Sequence, residues 1–323
     1  FVSILGQLKR EGFRPNRDII LALTSDEEQG DVPSNGAYWL VNNKKELVEA
    51  DFGINEGAGG ELLNGKPILH RIQLAEKMYT TFELVATNKG GHSSIPMPSN
   101  AIYDLAEALQ KLSRHNFPVH LGEVNKLYFS QGADLQTGQV AKDMAEVGKG
   151  KLDSKVLERL SKNPFYNAQL RTTCVATMVN AGHAQNALPQ SAKAVVNCRI
   201  LPQDNPDDID KELRAVVGDK VQVNWVMKPL RSPPSPLRAD VLDTVKNLTN
   251  SMWPGVPVVP FMSTGATDSR FFRNMGMPMY GVSGIFVTSA DYRAHGLDER
   301  VEKTRLYDGR EFLYQFVKKM ALD

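Results

Sequence analysis

Three carboxylates stand in a row at residues 26–28, in the stretch "LTSDEEQG", directly after the apolar run "RDIILAL". Adjacent Asp26, Glu27 and Glu28 repel one another. Their grouping is therefore either a solvated, acidic entrance to a helix, favoured by the macrodipole, or a means of holding a cation and moving a proton. A further acid, Glu56, closes "DFGINEG", and His295 lies in the loop "RAHGLDERV". Oxygens from Glu28 and Glu56 with a ring nitrogen from His295 make a donor set that suits Zn2+, or Mn2+ and Co2+. Glu27, beside a ligand without being one, would then stand as a general base.

Three other positions carry useful chemistry. In "NKGGHSSIP" a glycine pair permits the tight turn that would present His92. Asn186 in "QNALP" can donate a hydrogen bond to a developing oxyanion. Arg199 in "NCRILP" has the planar fork that grips a carboxylate. Each also has a plain structural reading: a loop histidine, a turn asparagine before Pro189, a solvated arginine at a strand end. Asp268 in "GATDSR" reads as a cap rather than a ligand. Other catalytic kits are missing from the sequence. "GVSGI" lacks the second spaced glycine of a nucleophile elbow, and no glycine-rich phosphate loop, CxxC or HExxH occurs.

Periodicity indicates the elements that must position these groups. Apolar spacing at Phe1, Ile4, Leu5 and Leu8 predicts a helix over 1–11. A strand at 18–24, a helix around "SNGAYWLVNNKKELVEA" and a short strand at "DFGINEG" follow. Such alternation favours parallel strands with sites at their carboxyl ends, where residues 26–28 and Glu56 both fall. From about residue 75 the texture is α+β. "KMYTTFELVAT" alternates like a strand with one exposed face. "SNAIYDLAEALQKLSRH" is an amphipathic helix with Ile102, Leu105, Ala106, Leu109 and Leu112 on one side, capped by Ser99 or Asn100. A polar, lysine-rich helical stretch covers 138–163, and "TTCVATMVNAG" and "AKAVVNCRI" read as strands. The cysteines they hold, Cys174 and Cys198, are expected as buried free thiols, although pairing across a sheet stays open. "KPLRSPPSPLRAD" reads as a linker, after which the α/β texture returns. The expected fold class is α/β: a catalytic domain with a central mixed, largely parallel sheet, interrupted by an inserted α+β lid. Its first part is 1–74, the lid 75–231 and its second part 232–323.

Bulk properties narrow the partners. The 323 residues are 41% apolar, enough for a sizeable core, and 38 basic side chains balance 37 acidic ones. That balance speaks against nucleic acid and membrane surfaces and for a peptide or other small substrate. No apolar run reaches the roughly 18–20 residues of a membrane span. Nothing in the chain specifies a cellular address.

Taken in order, "LTSDEEQG", "NEGAGG", "EK" at 76–77, "GGHSS.P", "NALP", "NCRILP", "GATDSRFF" and "AHGLDERV" resemble the co-catalytic di-zinc metallopeptidases of the glutamate carboxypeptidase, aminoacylase, carnosinase and succinyl-diaminopimelate desuccinylase type (peptidase family M20). The wording is most similar to the carboxypeptidase S branch. The resemblance spans nearly the whole chain, with 120–168 its least typical part. It implies a zinc-exopeptidase-like fold and hydrolysis of peptide amides beside a free carboxylate, through a metal-bridging water. Glu27 matches the general base, Glu28 and His295 ligands of one zinc, and Glu56 a ligand of the other. His92 matches a lid histidine that reaches the partner subunit's site in a homodimer formed through the lid. Asn186 and Arg199 match substrate binders, Arg199 for the terminal carboxylate. Aminoacylase action on N-acyl amino acids, or a catalytically inactive binding homologue, are the alternatives. One departure stands out: the family's H-x-D motif and bridging Asp have no match here. They are expected in a preceding segment of about 100–150 residues, the size of a small domain, on a separate chain, or lost in a truncated form.

Overall fold

A short strand, β1 (Gly53–Asn55), and a hairpin, β2 (Gly60–Leu63) with β3 (Lys66–Glu76), begin the main sheet of the computed structural model, which describes residues 1–29, 34–288, 291 and 293–322. The hairpin turns at Asn64 and Gly65, with φ of 52° and 75°. Two-residue turns between twisted strands need this left-handed pair, which Asn-Gly supplies at low cost. β3 is flanked in parallel by β10 (Val258–Ser263) and meets β11 (Met279–Gly281) antiparallel at Gly281. β11 runs parallel to β1, and β12 (Phe286–Val287) parallel to β2. Among the described residues the sheet is therefore mixed, with six strands and three of five pairings parallel.

Two compact units emerge. The first joins 1–76, 123–151 and 232–323, and the second 77–122 and 152–231. In the first, α1 (Val2–Arg10) lays Ile4 and Leu8 against Tyr314 and Val317 of the last helix, so the two ends of the chain share one apolar cluster. The run 18–24 departs from its expected strand. It has no ladder partner among the described residues, and Ile19, Ile20, Leu21 and Leu23 are exposed. β propensity does not make a strand without a neighbour to accept its hydrogen bonds. Next comes α2 (Gly36–Asn43), whose cap is Asn35, accepting from the Tyr38 amide at 2.9 Å.

The second unit is built on an antiparallel sheet in the order β6–β8–β4–β9, formed by β4 (Met78–Thr87), β6 (Thr173–Ala181), β8 (Ser191–Ile200) and β9 (Val221–Met227). Alternate residues of β4 and β8, among them Phe82, Leu84, Val196 and Cys198, pack under α3 (Ala101–Arg114) and α8 (Pro206–Val217). α3 starts at Asn100, whose side chain accepts from the Ile102 amide. Its buried face is Ala101, Leu105, Ala108 and Leu112, rotated from the expected one: Ile102 and Ala106 are exposed. A two-stranded ribbon, β5 (Gly91–His92) with β7 (Ala187–Leu188), stands beside the sheet pattern. Cys174 and Cys198 are directly opposite on β6 and β8, Cα atoms 4.1 Å apart, and form a disulfide rather than two thiols.

The lysine-rich stretch 138–163 divides after residue 151, and the helix that precedes it falls in the first unit too. α4 (Glu123–Ala133) and α5 (Gly138–Gly148) pack in the first unit, where the Tyr128 ring lies 6.1 Å from that of Phe261 on β10. α6 (Ser154–Ser161) and α7 (Pro164–Leu170) pack in the second. Val124, Tyr128, Phe129 and Met144 are buried, so apolar side chains scattered among lysines decide the placement of 123–151. The proline-rich linker also has fixed partners. Ser235 donates its backbone amide to the Leu74 carbonyl of β3 at 2.8 Å and its hydroxyl to the Met279 carbonyl at 2.6 Å. α9 (Ala239–Met252), α10 (Ser269–Asn274) and α11 (Lys303–Met320) complete the first unit.

Candidate active site

Glu56 follows the last residue of β1, at a strand's carboxyl end. The next residue, Gly57, has φ 117°, and a Cβ there would lie 2.5 Å from the Gln73 side-chain oxygen, so the approach requires glycine. Glu27 and Glu28 open a single 3-10 turn, Glu27–Gln29, behind a left-handed Asp26 at φ 58°. Asp268, just before α10, faces this loop. It accepts from the Asn35 side-chain amide at 2.9 Å and from the Thr24 hydroxyl at 3.1 Å. Asn35 also donates to the Asp26 carbonyl at 3.2 Å.

Glu27, Glu28, Glu56 and Asp268 therefore share one electrostatic neighbourhood. Burial pushes the Glu27 carboxyl up to about 7, helped by Glu56, Asp268 and Glu28 and opposed by the Arg270 guanidinium. Burial by surrounding protein also raises Glu56, with Asp268 and Glu28 adding to it, although the side chain still reaches solvent. Crowded acids of this kind hold a proton, or attract a cation, near neutral pH. His295 is exposed in left-handed backbone at φ 64°, its amide donating to Glu299 at 3.3 Å. Among the described residues, no three His, Cys, Asp or Glu side chains stand close enough to hold a metal ion. The expected ligands Glu28, Glu56 and His295 do not form such a group, so this donor set does not by itself fit a metal centre.

The second unit brings two expected residues together. His92 ends β5, and the amide of Ser93 donates to the Asn186 carbonyl at 3.0 Å, placing Asn186 at the mouth of the same ribbon. His92 Nδ1 accepts from the Ser94 amide at 3.2 Å and lies 2.7 Å from its hydroxyl. An accepting Nδ1 puts the proton of the neutral ring on Nε2. Arg199 lies opposite Tyr79 in the β4–β8 ladder, its guanidinium 4.6 Å from the centre of that ring and its Nε donating to Asn197 at 3.1 Å.

Periodicity did not point to several residues that support these positions. Glu76 is fully buried and accepts from the Thr267 amide and hydroxyl at 3.0 and 2.9 Å, while Arg273 pairs with its other oxygen at 3.1 Å. The "EK" dipeptide was the available signal, since adjacent charges within apolar strands invite the question of what neutralises them. Asn35 offered a weaker one, as a polar residue before a helix.

Comparison with known proteins agrees with this architecture. Residues 74–223 match the M20 peptidase dimerisation domain. A probable carboxypeptidase S-like protein 2 from Dictyostelium discoideum is 28% identical over 96% of this chain and 61% of its own length. Human N-fatty-acyl-amino acid synthase/hydrolase PM20D1 is 26% identical over 96% of this chain and 62% of its own. The crystal structure of the metallo-carboxypeptidase Sso-CP2 from Sulfolobus solfataricus superposes with a TM-score of 0.58 at 20% identity, over 90% of this chain and 68% of that one. The chain spans about three fifths of the length of the curated relatives it matches. A mixed α/β unit interrupted by an antiparallel, helix-covered insert is the fold of the M20 peptidases. The chain is thus similar in fold to these peptidases and similar in sequence to relatives of the carboxypeptidase S type.

Proposed function

We propose that the protein of which this chain is part hydrolyses a C–N amide bond whose amine side is an amino acid with a free carboxylate. Peptides and N-acyl amino acids both have this chemistry, and relatives named for each occur. The carrying observation is Glu27: a half-buried carboxyl, raised to about 7 among three other acids, at the head of a fixed turn. A general base works best when its pKa lies near the working pH.

Glu27 takes a proton from the attacking water and returns it to the departing amine. His92, with its proton on Nε2, donates to the oxyanion of the tetrahedral intermediate, and the Asn186 amide supports it. Arg199, held by Asn197 and stacked on Tyr79, binds the substrate carboxylate. Glu28, Glu56 and His295 are the three zinc ligands that the family pattern assigns here, with Mn2+ or Co2+ as substitutes. In that pattern two bound ions supply Lewis-acid and nucleophile-activating chemistry. The acting unit is a homodimer joined through the insert, and the dimerisation-domain match supports this.

Turnover of a dipeptide series and an N-acyl amino acid series, with metal content by elemental analysis, tests the reading. Glu27→Ala is expected to lose several orders of magnitude in kcat with metal content unchanged, as for a group acting only in the transition state. Loss of metal with Glu27→Ala reassigns that residue as a ligand. A wild-type protein that binds zinc yet cleaves neither series, or binds none after dialysis against zinc, is instead a binding homologue.

A further inference from the structure

Loop 24–28 places three like charges side by side, an arrangement that pushes itself apart unless something holds the backbone. The structure assigns that task to Asp268: we infer that it is a positioning residue which pins the loop and so sets where Glu27 stands, an inference that rests on the hydrolase reading above.

Both carboxylate oxygens of Asp268 are committed to the loop's two sides. Thr24, just before the acids, donates its hydroxyl to Oδ2. Asn35, wholly buried, donates to Oδ1 with its Nδ2 group, which also reaches the Asp26 carbonyl. A third fastening adds to these: the Gly36 amide donates to the Ser25 carbonyl at 2.9 Å. A Cβ on Gly36 would lie 2.8 Å from the Ser25 nitrogen, so the helix start presses directly against the loop. Residues 24, 25 and 26 are thus tied, and Glu27 is the first side chain past the last tie.

Asp268 is itself seated from behind. Thr267 is held through its amide and hydroxyl by the buried Glu76, and the Ser269 amide closes onto the Thr267 hydroxyl at 3.2 Å. Gln73 donates to the same Glu76 carboxylate at 3.3 Å, and its oxygen is the atom that a side chain at residue 57 would strike. One buried carboxylate therefore backs both the loop holding Glu27 and the strand end holding Glu56. A purely electrostatic purpose for Asp268 fits poorly, because its charge opposes the ionisation of Glu27 and Glu56.

Position and charge are separable by substitution. Asp268→Asn keeps an acceptor for Asn35 and a group able to donate to Thr24, without the charge. Asp268→Ala removes the clamp. Hydrogen exchange of a peptide covering residues 24–29 reads the loop directly. Steady-state kinetics on the substrate accepted by the wild type read the base, and elemental analysis reads the metal. Expected for Asp268→Ala is exchange about tenfold faster in that peptide and kcat down about a hundredfold, with KM within about threefold and metal retained. Asp268→Asn is expected to stay within about fivefold of wild type in both readouts. Thr24→Val, which removes one tie only, gives an intermediate exchange rate and keeps the test open if Asp268→Ala does not fold. Unchanged exchange in Asp268→Ala and Thr24→Val, Asp268→Asn as damaged as Asp268→Ala, or metal lost with Asp268→Asn each overturns the inference. If the wild type cleaves no amide, the hydrolase reading fails while the exchange measurement still decides the clamp.

Discussion

Glu76 and Lys77 are consecutive, oppositely charged and both wholly buried, yet each finds its partners in a different unit of the chain. Glu76 ends the first unit's β3 and pairs with Arg273 and Thr267. Lys77 opens the second and donates to the Arg171 carbonyl at 2.8 Å and the Thr173 hydroxyl at 3.2 Å. The two charges do not neutralise one another, because neighbouring side chains on an extended backbone point to opposite sides. Burial lowers the Lys77 amine from 10.5 to about 7, with Asp204 opposing and Arg199 assisting.

That depression makes stability depend on alkaline pH. The unfolded chain holds the Lys77 proton up to about pH 10.5, whereas the folded chain releases it near 7. Across that window the unfolded state binds more protons, so stability rises with pH and is lost as pH falls toward 7. Chemical denaturation at pH 7 and pH 10 is expected to show a rise of up to about 4 kcal/mol from this group in wild type. Lys77→Met should lack that share of the slope. Equal slopes in the two proteins would mean that the amine stays charged inside the fold.

His70 has the same sign on the acid side. Its ring is buried on β3, with Nε2 donating to the Ser283 carbonyl at 2.6 Å and Nδ1 2.7 Å from the Thr249 hydroxyl. Burial lowers it from 6.5 to about 4. Between these values the unfolded chain binds the extra proton, so stability falls as pH drops from 6.5 toward 4. The total is up to about 3 kcal/mol. His70→Gln keeps a donor for Ser283 without the titration, and its acid limb should be shallower. Unfolding midpoints at pH 7, 5.5 and 4.5 provide the comparison.

The Cys174–Cys198 bond closes a loop with a sequence separation of 24. Loop-closure entropy predicts that Cys174→Ser with Cys198→Ser costs about 3 kcal/mol. The loss should appear in urea unfolding of the second unit. Titration of the denatured, unreduced protein should find no free thiol. Two thiols per chain would contradict the bond.

The proposed homodimer makes a prediction about mixed subunits. Glu27→Ala and His92→Ala proteins should each be inactive. Random exchange makes half the dimers mixed, each with one intact site, so activity should recover to about a quarter of wild type. Subunits that demonstrably exchange without recovery would place His92 in the site of its own chain.

Several features were legible in the linear sequence. Alternation marked β4, and the 3.6-residue period marked α1 and α3, because these elements bury one face each and the period records it. Motif order also carried the resemblance to a family, since side-chain chemistry at fixed offsets needs no coordinates. What the sequence could not show was which segments would find partners. Residues 18–24 look like a strand but form no ladder among the described residues, α4 meets β10 from a distant part of the chain, and Cys174 meets Cys198 through register. The site's fastening was hidden for the same reason. Asn35 meets Asp268 across 233 positions, and a hydrogen bond between such distant residues leaves no local period or composition to read. The sequence by itself determined the chemistry available and the elements that carry it. Only the tertiary structure decided which carboxylates stand together and what holds Glu27 in place, because long-range contacts depend on the packing of the whole unit.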